Sequence, residues 1–265
     1  MSGTKIHNSK KVGNVILSAG HRAYNCLITR VDPAQLNIKS FDVKVTPANI
    51  DLRPQMPPVY DQGQLGSCTA NALCAAFAYE TQNVDMGSRL FVYYNERMLE
   101  HTIPQDAGAL LSDGVKTLEK YGVCPETEWP YVISKFAIKP IAKCYTDALA
   151  HHVVSALNIQ NTLSAMKQSL TAGHPFVVGI AVYDSFESNQ VALTGIVPMP
   201  NVNTESLLGG HAVLVVGYDD SHQWFIVRNS WGINWGAKGY FYLPYAYLTN
   251  SNLTSDLWNI TAVKV

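Results

Sequence analysis

DLRPQMPPVYDQGQLGSCTANALCAAFAY, residues 51–79, changes character at Ser67. Before that point Pro54, Pro57, Pro58, Gly63 and Gly66 predict an extended loop, since Pro fixes φ and Gly loosens it. After it, Ala70, Leu73, Cys74, Phe77 and Ala78 recur at i, i+3, i+4, i+7 and i+8, which predicts a helix with one apolar stripe on a core. Ser67 is the candidate N-cap. Cys68 is thereby expected in the first turn of a buried helix. The positive end of a helix favours an anion, so this is a place where a thiol can become a thiolate.

Further along, Leu111, Val115 and Leu118 share a face and Gly122 follows, which predicts a helix over 111–121. Leu163, Met166 and Leu170 predict another over 162–171, with Gly173 after it. Then the period shortens. PFVVGIAV (175–182), HAVLVVGY (211–218), QWFIVRN (223–229) and GYFYL (239–243) are β-branched or aromatic runs bounded by Gly, Asn and Asp. Helices before about residue 172 and strands after it imply an α+β fold with a helical lobe, a β lobe and a cleft between them.

A nucleophilic thiol needs a proton partner, and that partner needs a third group to hold it. His211 opens a predicted strand after Gly209 and Gly210, and Asn229 ends the next one, joined through a turn at 219–222. Adjacent strand ends would set the Asn amide beside the imidazole. The distance along the chain from Cys68 to His211 falls within a spacing known for thiol peptidases, with Asn229 a little beyond it.

QGQLGSC (62–68), GGHAVLVVGYD (209–219) and NSWGINWGAKGYF (229–241) resemble the motifs of the papain family of cysteine peptidases, in that family's order Gln, Cys, His, Asn. The resemblance covers about Asp51 to the carboxyl terminus. It implies a papain-like two-lobe fold with a helical left lobe and a β-barrel-like right lobe. Its implied boundaries are an amino-terminal pro-like or inhibitory segment over 1–48 and a peptidase domain over 49–265. Within the domain it sets a helical lobe at 49–160, a β lobe at 161–245 and a tail at 246–265. It assigns Cys68 as nucleophile, His211 as general acid/base, Asn229 as the group orienting His211, and Gln62 as an oxyanion donor. Gly66, Ser67, Gly108, Ala109, Leu110, Gly210, Trp231 and Trp235 become substrate-site candidates. Leu110, Gly179, Gly209 and Ala212 would line a pocket with room for a bulky apolar side chain. The implied partner is a peptide or protein substrate, the implied form a monomer, and intramolecular inhibition by the amino-terminal segment is expected. No metal or organic cofactor is implied. Two positions depart from the family pattern: Thr69 replaces an aromatic residue after the nucleophile, and Leu65 replaces a bridged Cys. A non-catalytic peptide-binding relative and a thiol-dependent acyl or amide transferase are the competing readings; the presence of all four reactive-site residues favours the peptidase.

Composition agrees with an enzyme. Apolar residues make up 47% of the 265-residue chain and charged ones 15%, enough for a large core. A net charge of −1 without runs of one sign gives no electrostatic footprint for nucleic acid or a membrane surface. No stretch has the length of a membrane span, and Val15-Ile16-Leu17 is too brief for a secretory leader, so a cytoplasmic or leaderless form is expected. The five cysteines, Cys26, Cys68, Cys74, Cys124 and Cys144, are odd in number. With Cys68 reactive, the other four leave zero, one or two bridges open, Cys124–Cys144 among them. Their spacing shows no zinc pattern.

Overall fold

The computed structural model describes residues 45–82, 86–150 and 152–264, together with Tyr24, Cys26, Leu27, Phe41 and Val43. Helices α1 (Cys68–Glu80), α2 (Arg89–Leu99), α3 (Leu111–Tyr121) and α4 (Ala142–Ala148) form one layer. Strands β1 (Asn49–Asp51), β2 (His152–Asn158), β3 (Phe176–Tyr183), β4 (Leu207–Asp219), β5 (Trp224–Arg228), β6 (Tyr240–Pro244) and β7 (Thr254–Lys264) form the other, with α5 (Leu163–Thr171), α6 (Asn189–Thr194) and α7 (Tyr245–Leu248) between them. The strands make one antiparallel sheet in the order β2-β7-β3-β4-β5-β6, and β1 pairs with the far end of β4. The α+β expectation holds, but the sheet is open, so barrel-like describes it only loosely.

The tail set at 246–265 contains β7, which lies inside the sheet between β2 and β3. β2, within the 49–160 expected for the helical lobe, is the sheet's edge. Most of the amino-terminal segment, 1–48, lies outside the described residues. No described helix is long and apolar enough to cross a membrane.

α1 sits at the seam of the two layers. Its apolar stripe was expected to face one core, yet every residue from Cys68 to Ala78 is buried. A helix apolar on most sides and carrying no charge before Glu80 can be enclosed whole, and Ala72 and Ala75 line a small pocket with Ala212, Val213 and Leu214 of β4. Its polar side chains find buried partners: Thr69 Oγ1 donates to Glu96 Oε2 at 2.8 Å, and Asn71 Nδ2 donates to the Ser67 carbonyl at 2.9 Å.

Candidate active site

Three pieces of chain meet where α1 begins: the loop before Cys68, the middle of β4, and the turn after β5. Ser67 does not cap α1 with its side chain. Its Oγ instead accepts from Asn71 Nδ2 at 3.0 Å and pairs with the Tyr131 hydroxyl at 2.5 Å. Tyr131 also donates to the Gln62 carbonyl at 3.0 Å, so one hydroxyl ties both ends of the 62–67 loop. Gly66 N–H donates to both carboxylate oxygens of Asp106 at 3.0 Å, and Tyr93 donates to the same carboxylate. The loop's approach to Cys68 is therefore set by side chains far away in the sequence.

Gln62 is pinned at both ends of its amide. Oε1 accepts from Ser230 Oγ at 2.6 Å, and Nε2 donates to the Leu65 carbonyl at 2.9 Å. A primary amide carries two N–H groups, so one donor remains for the cleft.

His211 lies within β4, opposite Ile180 of β3, rather than at a strand's start. Its Nε2 is 2.8 Å from Asn229 Oδ1. That oxygen also accepts the Ser230 N–H at 2.8 Å, which fixes the amide's orientation. An acceptor at Nε2 requires a proton on Nε2, so Nδ1 is the ring's basic nitrogen. The Trp231 indole stacks on the imidazole with centroids 4.7 Å apart and planes 21° apart. Trp235 stands edge-on to Trp231 at 4.8 Å and stacks on Phe186 at 5.9 Å. It is a packed wall residue, 3% exposed.

Cys68 is fully buried beside these groups. Burial pushes its thiol up to about 11, against the pull of the N–H groups of Ala212, Thr69 and Cys68 itself. Ala212 follows His211, so the sulfur touches the strand that carries the imidazole. Glu96, packed beneath, adds a further upward push.

The cleft is occupied by the protein's own chain. Cys26 N–H donates to the Gly210 carbonyl at 3.0 Å, and Leu27 N–H donates to the Ala109 carbonyl at 3.2 Å. Cys26 and Ala109 form a parallel β-bridge. Ala109 and Gly210, both named from sequence as substrate-site candidates, thus hold one peptide backbone from opposite lobes. Gly209 has φ 148°, and a Cβ there would lie 2.6 Å from both the Tyr24 carbonyl and its Cβ, so only glycine admits the segment. The Tyr24 ring meets His211 edge-on at 6.4 Å and Trp231 at 5.9 Å. Cys26 points at Gly179, its sulfur 3.6 Å from where a Cβ would stand. Burial raises the Cys26 thiol, and the nearby Cys68 raises it further.

The remaining candidates are structural neighbours of this contact. Gly108 N–H donates to the Tyr93 hydroxyl at 3.2 Å, and Leu110 N–H donates to Glu100 Oε1 at 2.7 Å. Sequence reasoning missed Asp106, Tyr93, Glu96, Tyr131 and Ser230. Only Ser230 had a signal, its place inside the 229–241 block.

The sequence model of the papain family cysteine protease matches residues 46–257. An uncharacterised peptidase C1-like protein of Acanthamoeba polyphaga mimivirus is 44% identical over 238 residues, covering 83% of this chain and 76% of that one. Xylellain, a cysteine protease from Xylella fastidiosa, is 36% identical in its crystal structure, with a TM-score of 0.85 over 98% of this chain and 99% of that one. The procathepsin B structure from Trypanosoma congolense shares the fold at 18% identity, with a TM-score of 0.73 over 97% of this chain and 94% of that one. The chain belongs to the papain family of cysteine proteases.

Proposed function

We propose that this cysteine protease is an endopeptidase held latent by its own amino-terminal segment, with Cys68 as nucleophile. The observation that carries the reading is the packing of the Cys68 sulfur against the N–H of Ala212, next to a His211 whose Nε2 is held by Asn229 at 2.8 Å. With Nε2 protonated, Nδ1 is left to take the thiol proton, giving a thiolate and an imidazolium. Opening the cleft hydrates the sulfur and lifts the burial that holds the thiol neutral.

The thiolate attacks a peptide carbonyl, and the carbonyl oxygen gains charge. The Cys68 N–H and the second N–H of Gln62 Nε2 are the donors for it; loss of one such donor costs roughly 10²–10³ in rate. His211 Nδ1–H protonates the departing amine, leaving a thioester on Cys68. Water attacks the thioester with Nδ1 as base, and the thiolate returns. Gly66 and Ser67 shape the loop beside the oxyanion, while Ala109 and Gly210 offer carbonyls to the substrate backbone. The Cys26 and Leu27 N–H groups hold those carbonyls in the latent form, and the Tyr24 ring lies edge-on to His211, which supports a zymogen. The parallel pairing at Ala109 gives the segment one chain direction, and a substrate running the opposite way would meet the same two carbonyls.

The test uses fluorogenic dipeptide substrates and a thiol-directed epoxide on the full chain, on a chain lacking the residues before Pro47, and on Cys68→Ala. The shortened chain is expected to turn over substrate faster and to label faster, and Cys68→Ala to do neither. Wild-type turnover in Cys68→Ala overturns the nucleophile; equal rates in the full and shortened chains overturn the latency. Labelling without turnover in both chains would favour a transferase.

A further inference from the structure

Two other cysteines form a pair away from the cleft. Cys124 follows α3 and Cys144 lies in α4; both are fully buried thiols. Their sulfurs and a carboxylate oxygen of Glu128 all lie within 4.8 Å of one another. Burial raises both thiols; the Cys124 S–H, turned toward the Cys144 sulfur, partly offsets the rise at Cys144 and adds to it at Cys124.

The segment between them braces the loop that leads to Cys68. Tyr131 bonds both Ser67 Oγ and the Gln62 carbonyl. The Ile133 Cδ1 lies 2.9 Å from where a Cβ on Gly63 would stand, at a position whose φ is 60°. Val132, Ile133, Ile138 and Ile141 of that segment are exposed, while Trp129 is buried and the Phe136 carbonyl accepts from Arg97. A covalent tie across its ends would limit how far Tyr131 and Ile133 can leave the 62–67 loop.

We propose that Cys124 and Cys144 form a disulfide on exposure to a small-molecule disulfide of the glutathione class, fastening the 125–143 segment over the 62–67 loop. Once local opening of the short helix α4 exposes Cys144, its thiol gives up its proton and the thiolate attacks one sulfur of the oxidant, forming a mixed disulfide and releasing one thiolate. Cys124 then gives up its proton and attacks the Cys144 sulfur, releasing the second thiolate. Two protein thiols are oxidised, one small disulfide is reduced to two thiols, and the two protons pass to those thiols. A disulfide needs the sulfurs at about 2.05 Å, and side-chain rotation in the short helix α4 supplies the approach. A soft divalent metal would call on the same sulfurs and Glu128. However, the Lys143 ammonium already pairs with Glu128 Oε1, and among the described residues three donors converge.

The bond itself does not depend on the peptidase reading, and its test reads mass and melting rather than turnover. The full chain carrying Cys68→Ala, which keeps the reactive thiol out of the count, is equilibrated with glutathione disulfide, alkylated and digested. One cross-linked peptide pair joining residues 124 and 144 is expected, with an intact mass lower by two hydrogens. A loop of this length should raise Tm by roughly 5–12 °C over the reduced form. Cys144→Ala should lose both the cross-link and the shift, while Cys74→Ala should keep both. Where Cys144→Ala fails to fold, the peptide map of the parent chain decides. Full alkylation of both cysteines after oxidation, capture of either only as a glutathione adduct, or stoichiometric zinc protecting both from alkylation overturns the proposal.

Discussion

The two sides of the cleft position their functional groups by different means. On the sheet side, His211, Asn229, Ser230 and Trp231 come from two paired strands and the turn that follows, and each is held by a near neighbour. On the helical side, Cys68 owes its place to Asp106, Tyr93, Glu96 and Tyr131, brought from α2 and from the loops beyond. A strand pair sets geometry through its register. The helical side sets it through buried polar groups, each costly to leave unpaired. Damage on the sheet side should therefore show in rate with little loss of stability, and damage on the helical side in both.

The largest effect is expected at Arg97, fully buried in α2. Its guanidinium donates to the carbonyls of Ile103 at 2.6 Å and Gln105 at 3.2 Å and also to Phe136, while Nε donates to the Tyr93 carbonyl at 3.1 Å. Arg97→Met keeps the stem but leaves four carbonyls short of a donor. A loss of about 3–5 kcal/mol is expected in denaturant unfolding, with turnover falling as the 103–106 loop and Asp106 shift. Unchanged stability would mean that the helical side is not held by this network.

Next comes Asn229→Ala on the sheet side. The imidazole loses its Nε2 acceptor while Trp231 still stacks on it. A fall in kcat of about 10–100-fold, or roughly 1.4–2.7 kcal/mol in the barrier, should appear with KM nearly constant and Tm within a few degrees. Equal losses in Tm and kcat would erase the contrast between the two sides.

Glu96 sharpens the contrast through pH. It is fully enclosed, and burial pushes its carboxyl up to about 8, partly offset by the Thr69 hydroxyl and raised further by Glu100 and Asp113. Arg97 pulls the other way, and Cys68 feels the ionised form from above. A folded-state value above the unfolded one means that the native protein binds the extra proton. Stability is then greatest below the ordinary carboxylate range and falls as pH rises through that range to about 8. Glu96→Gln should flatten the Tm profile between roughly pH 5 and 8. It should also extend the alkaline limb of kcat/KM, since ionised Glu96 opposes the thiolate. A parallel profile in the variant would place the titration elsewhere.

Legibility followed the same division. The sheet side lay open in the sequence because its functional residues sit in three short blocks, and strand runs with turn residues between them announce their own pairing. β4 nevertheless begins at Leu207, ahead of the expected 211, because Gly209 and Gly210 stay paired with Val182 and Ala181 of β3. α3 matched its expected span, Leu111–Tyr121, with Gly122 at φ 70° ending it. α2 was missed because Asn95, Glu96 and Arg97 are buried in its last turns, breaking the polar-out pattern that betrays a helix. The partners of β2 and β7 lie over 70 residues from one of the strands they join, and no local pattern encodes such a pairing. The self-occupied cleft was expected only from the family likeness; the three residues that make it carry no motif of their own.

The smallest effect concerns caps, where sequence reading was half right. Ser67 looked like the cap of α1, but its φ of −98° and ψ of 28° are not the extended conformation a capping residue adopts, and its hydroxyl serves Tyr131 and Asn71 instead. Thr162 adopts that extended backbone, and its Oγ1 accepts from Ala165 N–H at 3.3 Å, capping α5 on an exposed face. Thr162→Ala should cost about 0.5–1 kcal/mol, a drop in Tm of roughly 1–4 °C, with kcat untouched. Ser67→Ala removes the hydroxyl that Tyr131 and Asn71 share, so it should lower kcat as well, through the Gln62 loop. If the two alanine variants lose stability alike and neither changes kcat, Ser67 is an ordinary cap after all, and the helical side of the cleft is held by its backbone rather than by the side chains around Asp106 and Tyr131.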